Sequence, residues 1–155
     1  MAENLAFKAP SGCWAYDNIQ SNVTICGYLY DWETAKKACP VGWHLPTDDE
    51  WTLLTTYLGG DSIAGRKLKS TFYWKNPDPT TTNSSGFTAI PGGNRMLDGN
   101  YNMIGLWGYW WSSTENYSDN TTDYAWFRWM YYNLSEISSY YQHKERGLSV
   151  RCIKD

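Results

Sequence analysis

The sequence predicts an α+β fold in which two N-terminal helices pack on a loop-rich antiparallel sheet. Three observations lead to this prediction. Capped, amphipathic helix patterns occur only in the first half of the chain. Short β-type runs, separated by Gly and Asn, fill the second half. The length of 155 residues fits one domain, 1–155, with a full-sized core, and no internal repeat divides it.

The first helix is expected to follow a short strand over residues 27–30. Asp31 can cap this helix, which then continues through Ala38 with Trp32 on its apolar face. Pro40 ends the helical pattern because proline cannot continue a helix. The pattern therefore predicts a strand that leads directly into a helix.

The second helix begins at a capping box formed by Thr47 and Glu50. The Thr47 hydroxyl can accept a hydrogen bond from the Glu50 amide, and the Glu50 carboxylate can reach back to the Thr47 amide. The helix is expected to end at Gly59-Gly60, where glycine favours a helix stop. One further helical turn is predicted over 64–69.

The second half of the chain contains five short β-type runs. They cover 87–90, 108–113, 124–132, 136–141 and 147–153. In the last run the apolar Leu148, Val150 and Cys152 alternate with Ser149 and Arg151. Since neighbouring side chains of a strand point to opposite faces, the first three are expected inward and the other two outward.

Composition and charge exclude several classes of function. A formal net charge of −3 without a basic face argues against nucleic-acid binding, which requires clustered Lys and Arg. No run of about 18 apolar residues is present, so the sequence predicts no membrane insertion. Residues 1–5 lack the charged and apolar regions of a signal peptide. The chain is expected to be either cytosolic or a part of a longer exported protein.

Four cysteines allow three disulfide connectivities. None forms a C-x-x-C pair and only two His are present, so a structural zinc site is not expected. The favoured pairing joins Cys13 to Cys26 across a short polar loop and Cys39 to Cys152 between the first helix and the last strand. Two such bridges would indicate export. The alternative is four buried thiols in a reducing compartment.

The stretch 101–141 has the composition of a binding surface rather than of a core. It holds 14 of the 27 aromatic residues, interleaved with Ser, Asn, Asp and Thr, and it contains no Val. Tyr and Trp among small polar residues are typical of adaptable binding surfaces. Four tryptophans are assigned to packing: Trp107, Trp110, Trp111 and Trp126. The candidate ligand-binding residues are Tyr117, Tyr124, Phe127, Trp129, Tyr131, Glu136, Ser138, Tyr140, Tyr141, Gln142, His143, Glu145 and Arg146.

A series of ordered motifs extends over the whole chain. It includes Gly27-Tyr28-Leu29-Tyr30-Asp31-Trp32, Ala38-Cys39-Pro40-Val41-Gly42-Trp43-His44-Leu45-Pro46, Pro91-Gly92-Gly93, Trp110-Trp111-Ser112-Ser113-Thr114-Glu115 and Ser149-Val150-Arg151-Cys152. Together these motifs resemble the bacterial major paralogous domain family known as FISUMP. Members of that family read Trp-Met-Ala-Glu-Asn-Leu near the start, so Met1 is expected to be an internal residue. The resemblance therefore favours a domain of a longer secreted or surface-anchored protein.

The resemblance implies a C-type-lectin-like fold, related to the formylglycine-generating-enzyme group. It also implies a bridge from the first helix to the last strand, in agreement with the favoured Cys39–Cys152 pair. Similar domains serve as variable receptors of diversity-generating retroelements, which rewrite scattered codons near the C-terminus by mutating adenines. The expected framework residues are Trp126, Arg128, Ile137, Lys144 and Gly147–Cys152. The residues between them are mostly types that such mutagenesis produces, although Trp129, Gln142 and Glu145 are not.

Neither a lectin-type metal site nor a catalytic site is expected. The chain lacks the Glu-Pro-Asn, Gln-Pro-Asp and Trp-Asn-Asp motifs that build a calcium cage in lectins of this fold. Chemistry of the formylglycine-generating kind needs reactive cysteines in the C-terminal half, where only Cys152 lies. His44 lies in a framework motif and is expected to be a packed histidine. No cofactor motif is present.

These observations predict a non-catalytic, ligand-binding domain of a bacterial or phage-associated surface protein, of the receptor or adhesin type. Its partner is expected to be a protein or a surface glycan, bound by the aromatic C-terminal face. The alternative is a structural module of a cell-envelope or surface assembly, which would use that face against a neighbouring domain.

Overall fold

A computed structural model describes residues 1–117 and 121–155 and has the expected α+β architecture. The helices are α1 (Ser21–Cys26), α2 (Trp32–Ala38), α3 (Asp48–Tyr57) and α4 (Asp61–Leu68). The strands are β1 (Cys13–Trp14), β2 (Leu29–Tyr30), β3 (Trp43–His44), β4 (Asn94–Arg95), β5 (Tyr101–Asn102), β6 (Trp107–Asn116), β7 (Tyr124–Tyr131), β8 (Ser138–His143) and β9 (Ile153–Lys154). Within this part of the chain, every helix is too short or too polar to span a bilayer.

The described residues form four α-helices, where the sequence predicted two. The two predicted helices are confirmed: Asp31 accepts from the Thr34 amide at 2.8 Å at the start of α2, and both halves of the capping box start α3. The expected single turn at 64–69 is the eight-residue helix α4. Helix α1 was missed because it has no side-chain cap and contains β-branched residues, which disfavour helices.

The main sheet is antiparallel, with the strand order β6-β7-β8. The other side of β6 is also paired, because Trp110 forms a parallel bridge with Ser149, and Leu148 in turn bridges Tyr30 of β2. The predicted strand over 147–153 is therefore reduced to these bridges and to β9, which pairs with β3. The predicted run over 87–90 contributes a single bridge, between Ala89 and Lys69.

The main sheet has a hydrophobic core on each face. The front face carries Trp111 and Phe127, which pack in one core with Tyr30, Trp32, Leu148 and Val150. The back face carries Trp110 and Met130, which pack in a second core with Trp51, Leu68 and Ile137. Because side chains alternate along a strand, β6 and β7 contribute residues to both cores.

Arg128 joins the back face to helix α3. Its guanidinium forms an ion pair with Asp48 at 3.0 Å and donates to the Thr52 hydroxyl at 2.9 Å. The Arg128 side chain is buried, so this pair is shielded from water. The contact fixes the helix against the middle of β7.

Ser149 and Arg151 were predicted to point outward, and both are buried. The guanidinium of Arg151 donates to the Asn4 side chain at 2.8 Å and to the carbonyls of Phe87 and Thr88 at 2.6 and 2.7 Å. The prediction was wrong because this segment is covered on both sides. A buried arginine is tolerated there because its donors have partners.

One of the two expected disulfides is present. Cys39 and Cys152 are bonded, at a sequence separation of 113 residues, which indicates an oxidising, non-cytoplasmic location. Cys13 and Cys26 are free, so their predicted bond is wrong. Cys13 lies in β1, with its sulfur 3.5 Å from the Ala9 carbonyl, whereas Cys26 is buried at the end of the unpredicted helix α1. Burial raises the pKa of the Cys26 thiol to about 11.

Candidate functional site

Four half-buried aromatic rings form a continuous surface on the front face of the sheet. We call Trp107, Tyr109, Trp129 and Tyr131 the aromatic platform. The Trp107 ring is central, with its centroid 4.4 Å from that of Tyr131, 5.0 Å from that of Trp129 and 5.8 Å from that of Tyr109. The Trp107 and Tyr109 planes differ by only 2°. The platform therefore offers several ring surfaces to one partner.

Strand register explains why these rings meet. Trp107 pairs with Tyr131 and Tyr109 pairs with Trp129 across β6 and β7. Directly paired residues project from the same face, with their Cβ atoms about 5 Å apart. Tyr109 and Trp129 also pack against the front core, which supports the platform from one side.

The front face changes from core to surface along β7. Phe127 was predicted to be a binding residue, but only 4% of it is exposed. Its ring lies 6.4 Å from Trp111 and 5.9 Å from Tyr109, so it belongs to the front core at the edge of the platform. The prediction was wrong because this core covers one half of the face and leaves the other half open.

Two platform residues were not among the predicted site residues. Trp107 was assigned to packing and Tyr109 was not considered, yet both are half-buried and contact the other rings. Period-two counting back from the buried Trp111 places both on the front face. The alternation of the WGYWW motif was therefore an available signal.

Three other predicted residues form a second group on the opposite side of the sheet, together with Trp126, which was assigned to packing but is only half-buried. Tyr124 lies 5.8 Å from Tyr141 and 5.7 Å from His143, and Trp126 lies 5.9 Å from Tyr141. We call these four residues the back-face cluster. Tyr140 stacks on Tyr141 at 4.7 Å, but it pairs with Phe127 and therefore lies on the front face, where it is 55% exposed. The structure thus divides the predicted site between two faces, at opposite ends of β7.

The remaining predicted residues lie around these two groups. Ser138 is half-buried and pairs with Trp129 beside the platform. Tyr117 is 64% exposed and donates a hydrogen bond to the Glu115 carboxylate. The others are the half-buried Glu136, Gln142 and Arg146 and the exposed Glu145.

A family model described as the Fibrobacter succinogenes major domain matches residues 2–154. The chain belongs to this family. It is the FISUMP family that the ordered motifs resemble, and the match covers nearly the whole chain. No curated protein and no solved structure is found to be similar to this chain.

Lys69 of this FISUMP domain holds the turn that follows β7. It is fully buried, and its ammonium group donates to the carbonyls of Tyr131 and Leu134. Burial lowers the pKa of Lys69 to about 8, against the opposing effect of Asp78 and Glu136. Sequence reasoning missed this residue, because a lysine after a helix is usually exposed.

His44 bridges two carboxylates near the start of helix α3 in this FISUMP domain. Its Nδ1 lies 2.6 Å from Asp155 Oδ1 and its Nε2 lies 2.9 Å from Glu50 Oε1. Hydrogen bonds to Asp155 and then to Glu50 raise the pKa of His44. The expected packed histidine is thus half-exposed and links β3 to the start of α3.

A cleft of about 340 Å³ lies beside this histidine. It is lined mainly by apolar side chains, with Trp43, Trp51, Leu54 and Phe87 among them, and Glu50 lies at its edge. The Glu50 carboxylate already accepts from Thr47 and faces His44. In the described part of the chain, no three His, Cys, Asp or Glu side chains are grouped to hold a metal ion.

Proposed function

We propose that this FISUMP domain is a non-catalytic receptor or adhesin-type module that binds its ligand on the aromatic platform. The ligand is a protein or a surface glycan, and the domain belongs to an exported protein at the cell surface. The finer fold we propose is C-type-lectin-like. The α+β architecture and the bond between Cys39 and Cys152 support that assignment.

One observation carries the proposal: four large rings contact each other at the surface while remaining half-exposed. Contiguous exposed apolar patches on soluble domains usually mark interaction sites. Trp and Tyr are also the residues that most often dominate binding energy at interfaces. Because the front core supports Tyr109 and Trp129, little side-chain entropy would be lost when a ligand binds.

The test compares two tyrosines on opposite faces of the same sheet. The labelled domain is screened on an array of neutral and acidic glycans, and affinities for the strongest glycan are then measured by titration. We expect Tyr131→Ala to weaken binding about tenfold or more, because it removes a platform ring. Tyr141→Ala is the matched control, since Tyr141 is also half-buried but lies in the back-face cluster.

Two outcomes would contradict the platform as the binding site, and a third would exclude a glycan ligand. A loss of binding in Tyr141→Ala alone would move the site to the back face. Equal affinities of the wild type and of Tyr131→Ala would remove the platform from the site. The absence of binding to every glycan on the array would leave a protein ligand or a structural role.

The back-face cluster favours a second candidate function, that of a structural module in a surface assembly. Two aromatic surfaces on opposite faces would allow the domain to contact a neighbour on each side. Size-exclusion chromatography with neighbouring domains of the same parent protein distinguishes the two functions. A module that packs between neighbours would bury both surfaces, whereas a receptor would leave the platform free.

A further inference from the structure

Arg146 lies in the turn between β8 and the segment that borders β6. Its amide donates to the His143 carbonyl at 3.0 Å, and the side chain is half-buried. Its Nε is buried and has no hydrogen-bond partner among the described residues. Within the same residues, Arg146 forms no ion pair. A buried donor without an acceptor is costly, so this arrangement calls for an explanation.

The turn places Arg146 beside the Tyr109 end of the platform. Gly147 pairs with Arg95 of β4, and the Ser149 amide donates to the Tyr109 carbonyl at 3.0 Å. Burial raises the pKa of Tyr109 to about 12, and the positive charge of Arg146 opposes that rise. The charge of Arg146 therefore acts at the platform.

Arg95 adds a second cation at this end. Its guanidinium lies over the Trp14 ring at 4.2 Å and forms no ion pair among the described residues. A Cβ at Gly147 would lie 2.9 Å from Arg95 Cβ and 3.3 Å from Trp14, so these residues pack against the turn that carries Arg146. Two arginines that form no ion pair among the described residues thus lie at this turn, although the chain as a whole is acidic. The exposed Asp98 is close to Arg146: hydrogen bonds from Asn100 and, to a smaller extent, the charge of Arg146 lower the pKa of Asp98.

We propose that the platform binds an acidic saccharide, whose sugar rings lie on the aromatic side chains and whose carboxylate is bound by Arg146. This inference rests on the proposed function and adds the chemical class of the ligand. The planar guanidinium donates two parallel hydrogen bonds to a carboxylate, which a lysine cannot do. A ligand carboxylate would bind the two terminal Nη groups, because the Nε itself is buried.

The position of the platform favours a saccharide over a peptide. Peptides often add as a strand to an open sheet edge. The platform residues lie on β6 and β7, and neither strand has an open edge beside the platform. Strand β6 lies between β7 and Ser149, and β7 lies between β6 and β8. The faces of the platform rings remain available to a ligand. Their negative π surface attracts the polarised C–H groups of a sugar.

The test uses three probes with the whole domain: a hexuronic acid oligosaccharide, its carboxyl-reduced neutral counterpart, and poly-glutamate. We expect the hexuronic acid oligosaccharide to bind about tenfold or more tightly than the neutral form, with the difference abolished in Arg146→Gln. Lys37→Gln is the control, because it removes one positive charge from an exposed site on α2. It should leave both affinities unchanged.

Each other outcome has a distinct meaning. Equal binding of acidic and neutral saccharides, with both lost in Tyr131→Ala, would overturn the acidic ligand but keep the platform as the site. Preferential binding of poly-glutamate would replace the saccharide by an acidic peptide. An equal loss of affinity for the hexuronic acid oligosaccharide in Arg146→Gln and Lys37→Gln would show that only the overall charge of the domain matters, which would contradict a specific role of Arg146. Hexuronic acid binding that is unaffected by Arg146→Gln would also contradict the inference.

Discussion

At the scale of single residues, Lys69 fixes the end of the platform strand. Its buried ammonium group donates hydrogen bonds to two carbonyls at the turn after β7. Those carbonyls belong to Tyr131, a platform ring, and to Leu134. The position of Tyr131 therefore depends on a residue that lies 62 positions away in the sequence.

Lys69→Met is expected to lower the free energy of unfolding by about 1–3 kcal/mol, because it leaves buried carbonyls without a donor. Urea denaturation measures this change. Lys75→Met is the matched control, since Lys75 is exposed and should tolerate the change. An unchanged denaturation midpoint for Lys69→Met would show that water or the turn itself satisfies these carbonyls.

The free cysteines give a second prediction at this scale. In the unreduced, unfolded protein, a thiol reagent should titrate both Cys13 and Cys26. In the native protein Cys26 should stay unreactive at neutral pH, because it is buried and its raised pKa of about 11 leaves almost no thiolate. If the unfolded protein contained no thiol, Cys13 and Cys26 would be joined by a disulfide, in contradiction to the structure.

At the scale of secondary-structure elements, His44 links the antiparallel pair of β3 and β9 to helix α3. The pKa of His44 is raised in the folded state, so its stabilisation is complete below the ordinary histidine pKa and is lost as pH rises through the folded value. Burial raises the pKa of Glu50, but hydrogen bonds from Thr47 and His44 outweigh this and leave it lowered. The Glu50 contribution is therefore lost as pH falls through its folded value.

The pair should stabilise the fold most between these two folded-state pKa values. We expect His44→Gln to lower the free energy of unfolding by about 1 kcal/mol or less in that window, since the pair is partly exposed to solvent. The difference from wild type should shrink at higher pH, where the wild-type imidazole is neutral. Chemical denaturation at a series of pH values measures it, and a difference that is independent of pH would contradict this account.

Sequence reasoning succeeded where the signal was local. The Asp31 cap and the Thr47 capping box lie next to the helices that they start, so α2 and α3 could be predicted. It failed where the deciding contact is distant in sequence. Alternation along the last strand predicted that Arg151 points outward. Its guanidinium instead binds the carbonyls of residues 87–88, more than sixty positions away in the sequence.

The candidate site was predicted as a region but not as a surface. The composition of 101–141 pointed to the correct strands. However, the front core covers one half of one face and the back core covers one half of the other. Phe127 is buried and Trp107 is half-exposed for this reason, which no alternation within one strand could show.

At the scale of the whole molecule, the bond between Cys39 and Cys152 closes a loop of more than a hundred residues. Removing it with Cys39→Ala and Cys152→Ala should lower the free energy of unfolding by about 3–5 kcal/mol, mainly by enlarging the unfolded ensemble. Thermal denaturation with and without a reductant measures the effect. Reductant should lower the melting temperature of the wild type but not of the double variant; an equal response of both proteins would contradict the prediction.

The central claim is that ligands bind the platform on the front face. The most direct measurement is a titration with the strongest glycan, followed through the indole N–H signals of the tryptophans by NMR. We predict that the signals of Trp107 and Trp129 shift with a common affinity, whereas that of Trp126 on the back face stays in place. A shift confined to Trp126, with the two platform signals unchanged, would contradict the account.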